Sequence, residues 1–271
     1  MRMAGLLEVC ADSVCSAVNA ARGGADRIEL CSALPLGGLS PDEDLFCMVR
    51  ERVDLPVRVL LRPRAGDFLY DEDEFELLCC QAARFAGLGA DGIVIGMLNP
   101  DGTLDAERMS ALMTCGDGCG VTLHRAFDVC RDAHEALRTA KELGVDTILT
   151  SGQQARCADG APLLRELVSE SGEGLRILIG GGVNADVIRA LAPQTGADAF
   201  HLSAKAAVPS SMEFRREAVP MGAAGMNEFE LWRCDEGAVR AAREAGCGLH
   251  RTKGKLNADT KSIEQQCCRC P

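Results

Sequence analysis

The chain has 271 residues, 47% of them hydrophobic and 25% charged, with a formal net charge of −11. That composition supplies one large core, and the acidic balance argues against nucleic acid or an anionic membrane as the main partner, since both need a basic surface. A small anionic ligand stays open, because a local arginine cluster governs its own cleft.

Taken in chain order, apolar runs at 6–11, 26–31, 57–62, 92–97, 120–125, 147–151, 175–180 and 199–204 read as strands. Amphipathic segments at 13–22, 41–52, 72–88, 105–115, 132–143, 160–171, 185–192 and 235–245 read as the helices between them. Asp12 or Ser13 can cap the first helix. In SPDED, Ser40 is the expected N-cap of the second, with Pro41 at its first position and acids that suit the helix dipole. Four helices run out into a glycine turn before the next strand, in GGAD (23–26), GLGAD (87–91), LGVD (143–146) and TGAD (195–198).

Eight β-α units predict a single-domain (β/α)8 TIM barrel over residues 1–248. The rival, a doubly wound sheet, lacks a G-x-G-x-x-G after the first strand. Residues 205–234 read as a long irregular loop across one barrel mouth, and the polar segment 249–271 as a disordered cysteine-containing tail. Neither a secretory leader nor an apolar run of about 18 residues is visible, and the expected location is the cytoplasm. The fifteen cysteines are then reduced thiols, most of them acting as small buried hydrophobes. The spacings include no zinc-ribbon array of paired C-x2-C motifs. Nothing in the sequence fixes the oligomeric state, and a homo-oligomer stays open.

Barrel sites collect at the C-terminal ends of strands, where alternate residues point inward. Glu8 and Cys10 share one face of the first strand, and Glu29 and Cys31 share one face of the second. Later strand ends add Arg62 and Arg64, then His124, Arg125 and Asp128, then Thr150 and Ser151. Gly180, Gly181 and Gly182 follow the seventh strand, where barrels often bind phosphate through backbone N–H groups. His201, Ser203 and Lys205 lie on or just after the eighth. So many polar residues near one end of the strands exceed what packing selects, and a buried charge without a partner costs several kcal/mol.

The segments LLEVCADS, NAARGGADRIELCSAL, LRPRAGDFLY, TLHRAFD, ILTSG, ILIGGGV and FHLSA, in that order, resemble the CutC family of copper homeostasis proteins. The resemblance runs from about residue 6 to about residue 246. It implies a cytoplasmic TIM barrel linked to copper handling, with Cys10 and Cys31 matching two cysteines proposed to bind Cu(I). Cu(I) is soft and favours thiolates in low coordination number, which suits two cysteines at neighbouring strand ends. After the sixth strand the chain reads TSGQQARC, with Gln153 where some relatives carry a cysteine and Cys157 further on, so a third thiol from that loop is not implied.

Two readings follow. In the first, the protein binds copper through Cys10 and Cys31. In the second, it is an enzyme for a small anionic or phosphorylated substrate. Glu8 or Glu29 would then be the base, His124 the acid or electrophile, and Arg62 and Arg64 the anion clamp. The remaining ligand-binding candidates are Arg125, Asp128, the three glycines, His201 and Ser203.

Overall fold

Seven of the eight helices start on a side chain that accepts one of their first free N–H groups, a computed structural model of residues 5–216, 219 and 227–246 shows. The caps are Ser13, Asp42, Asp71, Asp105, Asp132, Asn184 and Asp235, and Asp71 forms a reciprocal capping box with Glu74. The second helix therefore begins two residues later than SPDED implied. Ser40 bonds instead to the backbone of Arg62 and to Gln81, and Asp42 accepts from Leu45 N–H.

The elements alternate as expected. They are β1 (Leu6–Ala11), α1 (Val14–Gly23), β2 (Arg27–Leu30), α2 (Glu43–Arg52), β3 (Val57–Leu60), α3 (Glu72–Gly87), β4 (Gly92–Ile95) and α4 (Ala106–Cys115). β5 (Gly120–Leu123), α5 (Ala133–Leu143), β6 (Thr147–Thr150), α6 (Ala161–Ser171), β7 (Arg176–Ile179), α7 (Ala185–Thr195) and β8 (Ala199–Leu202) follow. The eight strands form a closed parallel barrel in sequence order, with β8 returning to β1 through Leu6↔Ala199 and Glu8↔His201. This is the (β/α)8 barrel that the strand count implies.

Strand alternation sorts the residues into two environments. Leu7, Val9 and Ala11 of β1 join the large core between barrel and helices, with Phe46, Leu78, Phe85, Leu164 and Ile188. The opposite parity fills the barrel interior. Leu6, Leu149, Leu178 and Ala199 form one small interior cluster, and Cys10, Cys31, Leu60 and Val94 another. Between the apolar residues the interior also holds paired charges. Arg58 donates to both oxygens of Asp146 at 2.8 and 3.0 Å and to Thr122 Oγ1 at 2.7 Å, as a buried guanidinium requires.

The segment after the barrel is more ordered than a long loop. β9 (Lys205–Pro209) pairs antiparallel with β10 (Glu230–Cys234), followed by α8 (Glu236–Glu244). β10 is tied to α1, since Cys234 N–H donates to Ser16 Oγ and Asn19 donates to the Cys234 carbonyl. Among the described residues no helix is long and apolar enough to cross a membrane. The tail at 249–271 and the boundary before it lie outside the described residues.

Candidate functional site at the barrel mouth

Register explains the paired E-x-C segments. In the β1–β2 ladder Cys10 lies opposite Glu29 and Glu8 opposite Arg27, while β8 sets His201 opposite Glu8. The Cys10 thiol consequently sits 3.4 Å from Glu29 Oε1 and 3.5 Å from Cys31 Sγ. One level below, Glu8 accepts from Arg27 Nε at 2.5 Å through Oε2 and bonds to His201 Nδ1 at 2.8 Å through Oε1.

These contacts divide two carboxylates of like type. Burial pushes Glu8 upward, but the Arg27 charge and the His201 hydrogen bond outweigh it and hold the carboxyl at about 2. Glu29 moves the other way: burial raises it, the neighbouring Glu8 charge adds to that, and the His201 charge only partly opposes it. Burial works against the charged form of His201, yet the Glu29 charge and the Glu8 hydrogen bond carry it above its ordinary 6.5. Cys10 is raised well above 9.0 by its contact with Cys31, by burial and by the Glu29 charge. Glu8 is thus a fully ionised buttress with both oxygens engaged, ill suited to act as a base, whereas Glu29 keeps Oε2 buried without any hydrogen bond.

A cavity of about 260 Å³ opens at the C-terminal mouth, lined in part by Cys10, Glu29, Arg62, His124, Arg125, Gly181, Gly182, His201 and Ser203. These nine sequence candidates converge there. Phe68 also lines it, a residue that sequence reasoning passed over although it lies inside LRPRAGDFLY. Five candidates are not among its lining residues, and one of them, Cys31, stands behind Cys10 with the two sulfurs 3.5 Å apart. Glu8 lies beneath the floor. Arg64 turns outward to Glu74 at 2.5 Å and Asp67 at 3.0 Å, so the expected double-arginine clamp reduces to Arg62. Asp128 stands behind the wall, accepting from Ser151 N–H and from the Ser151 and Thr150 hydroxyls, and it holds Arg125 at 2.7 Å. Gly180 packs against Leu149, where a Cβ would come within 2.6 Å of Cδ1. Gly181 and Gly182 adopt φ of +95° and +85°, the left-handed region that favours glycine.

The thiol of Cys10, a carboxylate oxygen of Glu29 and a ring nitrogen of His201 all lie within 4.8 Å of one another. Of the two expected cysteine ligands, Cys10 belongs to this group, and Cys31 backs it at 3.5 Å from inside the barrel. The carboxylate and imidazole partners were assigned by the sequence to anion chemistry. Arg27 was missed altogether, although it shares the parity of Glu29 and Cys31 on β2. Cys157 does not supply a further thiol here. It is buried, and its N–H donates to the Gly181 carbonyl.

Fold and site together define a TIM barrel whose mouth holds a thiol, a carboxylate and an imidazole. The chain belongs to the CutC family, whose profile matches residues 5–206. It is 45% identical over 218 residues to the family protein CutC of Bacteroides fragilis (strain YCH46), covering 80% of this chain and 87% of that one. It is 42% identical over 236 residues to the copper homeostasis protein cutC homolog of Homo sapiens, covering 87% and 86%. Among solved structures, the CutC protein of Streptococcus agalactiae superposes with a TM-score of 0.70 at 26% identity, covering 73% of this chain and 98% of that one. The thiamine phosphate pyrophosphorylase of Pyrococcus furiosus, at a TM-score of 0.52 and 16% identity, shares the fold.

Proposed function

We propose that this protein is a cytoplasmic copper-homeostasis protein that binds Cu(I) at the barrel mouth. Cys10 would supply the thiolate, Glu29 and His201 the neighbouring donors, and Cys31 a second sulfur. The observation that carries the reading is the Cys10–Glu29–His201 cluster with the Cys31 thiol at 3.5 Å. The donor set fits the ion: sulfur and imidazole suit soft and borderline metals, and Glu29 Oε2 is a buried acceptor with no protein partner. Glu8 accepts from His201 Nδ1, which leaves Nε2 as the free ring nitrogen, the orienting arrangement common behind metal-binding histidines. The relatives named for copper homeostasis add support.

The test is a Cu(I) competition titration under reducing, anaerobic conditions on protein lacking residues 249–271. One equivalent should bind, and Cys10→Ser with Cys31→Ser should abolish binding while leaving the far-UV spectrum of the barrel unchanged. Cys10 holds its proton in the free protein, so binding must displace it. Apparent affinity should therefore rise by about tenfold per pH unit for each thiol proton released. Tight, pH-independent binding in the double variant would defeat the assignment.

A further inference from the structure

Copper chemistry uses only one side of the cavity. Across it, Arg62 and His124 both pack against Phe68, with the guanidinium carbon 5.1 Å and the imidazole centroid 4.8 Å from the ring centre. Both side chains are more than nine-tenths buried, and each has one nitrogen without a partner. Arg62 spends Nη1 and Nη2 on the carbonyls of Leu36, Gly38 and Gly66, and has no ion-pair partner among the described residues, so Nε–H is left over beside an uncompensated charge. His124 accepts the Ala126 N–H at Nδ1, which puts its own hydrogen on Nε2, and that atom is unbonded too. The Tyr70 hydroxyl is buried without a partner at hydrogen-bond geometry, though it lies close enough to Arg62 to accept from the guanidinium. Even turned toward the guanidinium, it would leave the imidazole N–H without an acceptor.

An unmade bond at a buried donor is costly, more so at a charged one, and a folded chain holds such groups where a ligand completes them. We infer that Arg62 Nε–H and His124 Nε2–H, on residues lining one cavity, form a two-donor subsite for the oxygens of a small organic oxyanion, a carboxylate or a phosphate monoester. The cavity volume of about 260 Å³ has room for a small molecule of this kind. Arg125, held at the rim by Asp128, and the left-handed Gly181–Gly182 turn complete an electropositive wall around it. Burial and the Arg62 charge keep the imidazole neutral at physiological pH, so it donates without adding charge. This subsite is independent of the copper reading, because none of its atoms belongs to the Cys10 cluster.

The experiment titrates acetate and, separately, inorganic phosphate into metal-free protein with 15N-labelled histidine, following the His124 Nε2 resonance. Saturable movement of that resonance with the ring still neutral is the expected result. Response to acetate alone assigns a carboxylate, and response to phosphate alone a phosphate ester. His124→Phe, which keeps a ring against Phe68, should weaken the same titration by about 10- to 100-fold as seen by calorimetry. An unmoved His124 signal with both anions overturns the inference in wild-type protein, whether or not the variant folds. Unaltered affinity in His124→Phe overturns it as well.

Discussion

Glu8 shows how a carboxylate can sit in the middle of a barrel. Its side chain is 0% exposed, yet one oxygen meets Arg27 and the other His201, so the charge is buried but never unpaired. Glu8→Gln should therefore cost about 3–5 kcal/mol in urea unfolding, because it strands the Arg27 charge rather than because the pair itself is strongly stabilising. A loss below about 1 kcal/mol would show that water reaches Arg27. His124 gives a second expectation at this scale. Its folded value of about 3 lies below the ordinary 6.5, so between those pH values the unfolded chain binds a proton that the folded one does not. The group's contribution is complete above about pH 6.5 and drains as pH falls toward 3, at up to about 1.4 kcal/mol per pH unit. Glu8 adds a loss of the same sign between 4.5 and about 2. Glu29, raised from 4.5, acts oppositely as pH rises through its folded value. The difference in unfolding free energy between wild type and His124→Phe isolates the histidine, and it should shrink as pH falls from about 6 to about 4.

At the scale of elements, α1 and α8 close the helical ring where Gly23 passes α8. A Cβ there would lie 2.6 Å from Val239 Cβ and 2.8 Å from the Glu236 carbonyl oxygen. Two effects oppose each other in Gly23→Ala. Helix propensity would favour alanine by about 1 kcal/mol, while overpacking costs about 1–3 kcal/mol. Because one clash is with backbone, packing should win and the variant should melt at a lower temperature; a stabilised variant would show that α8 yields. The same scale explains what was legible. The period-2 alternation in LLEVCA and RIELCS gave both strands and their inward faces, and the same parity would have given Arg27. The β9–β10 hairpin carried no such signal, because its residues are largely exposed and its place depends on backbone bonds to α1. The start of α2 was misread because Ser40 and Asp42 are equally good caps locally. Only the bonds from Ser40 to Arg62 and Gln81, distant in sequence, decide between them. His124 as a donor, and Arg64 as a residue turned away from the cavity, likewise depend on contacts that spacing does not encode.

For the whole molecule, closure brings the two ends of the barrel chain together, and Glu8 reaches across 193 residues of sequence to His201. The site therefore exists only when β8 has docked on β1, and loss of that pairing should remove metal binding and barrel stability together. Residues 249–271 are polar and without periodicity, and we expect them to contribute nothing to that closure. Their deletion should leave the thermal midpoint unchanged, as read by scanning calorimetry. A fall of several degrees, the scale of about 1–2 kcal/mol in a domain of this size, would show that the tail docks.

The proposal that matters most is that Cys10, with Cys31 beside it, supplies the sulfur that would hold Cu(I) at this mouth. X-ray absorption at the copper edge, on tail-less protein loaded with one equivalent, tests it most directly. A first shell of sulfur with lighter nitrogen or oxygen neighbours is expected in the wild type, and no retained copper in Cys10→Ser with Cys31→Ser after desalting. An unchanged sulfur shell in that double variant would contradict it.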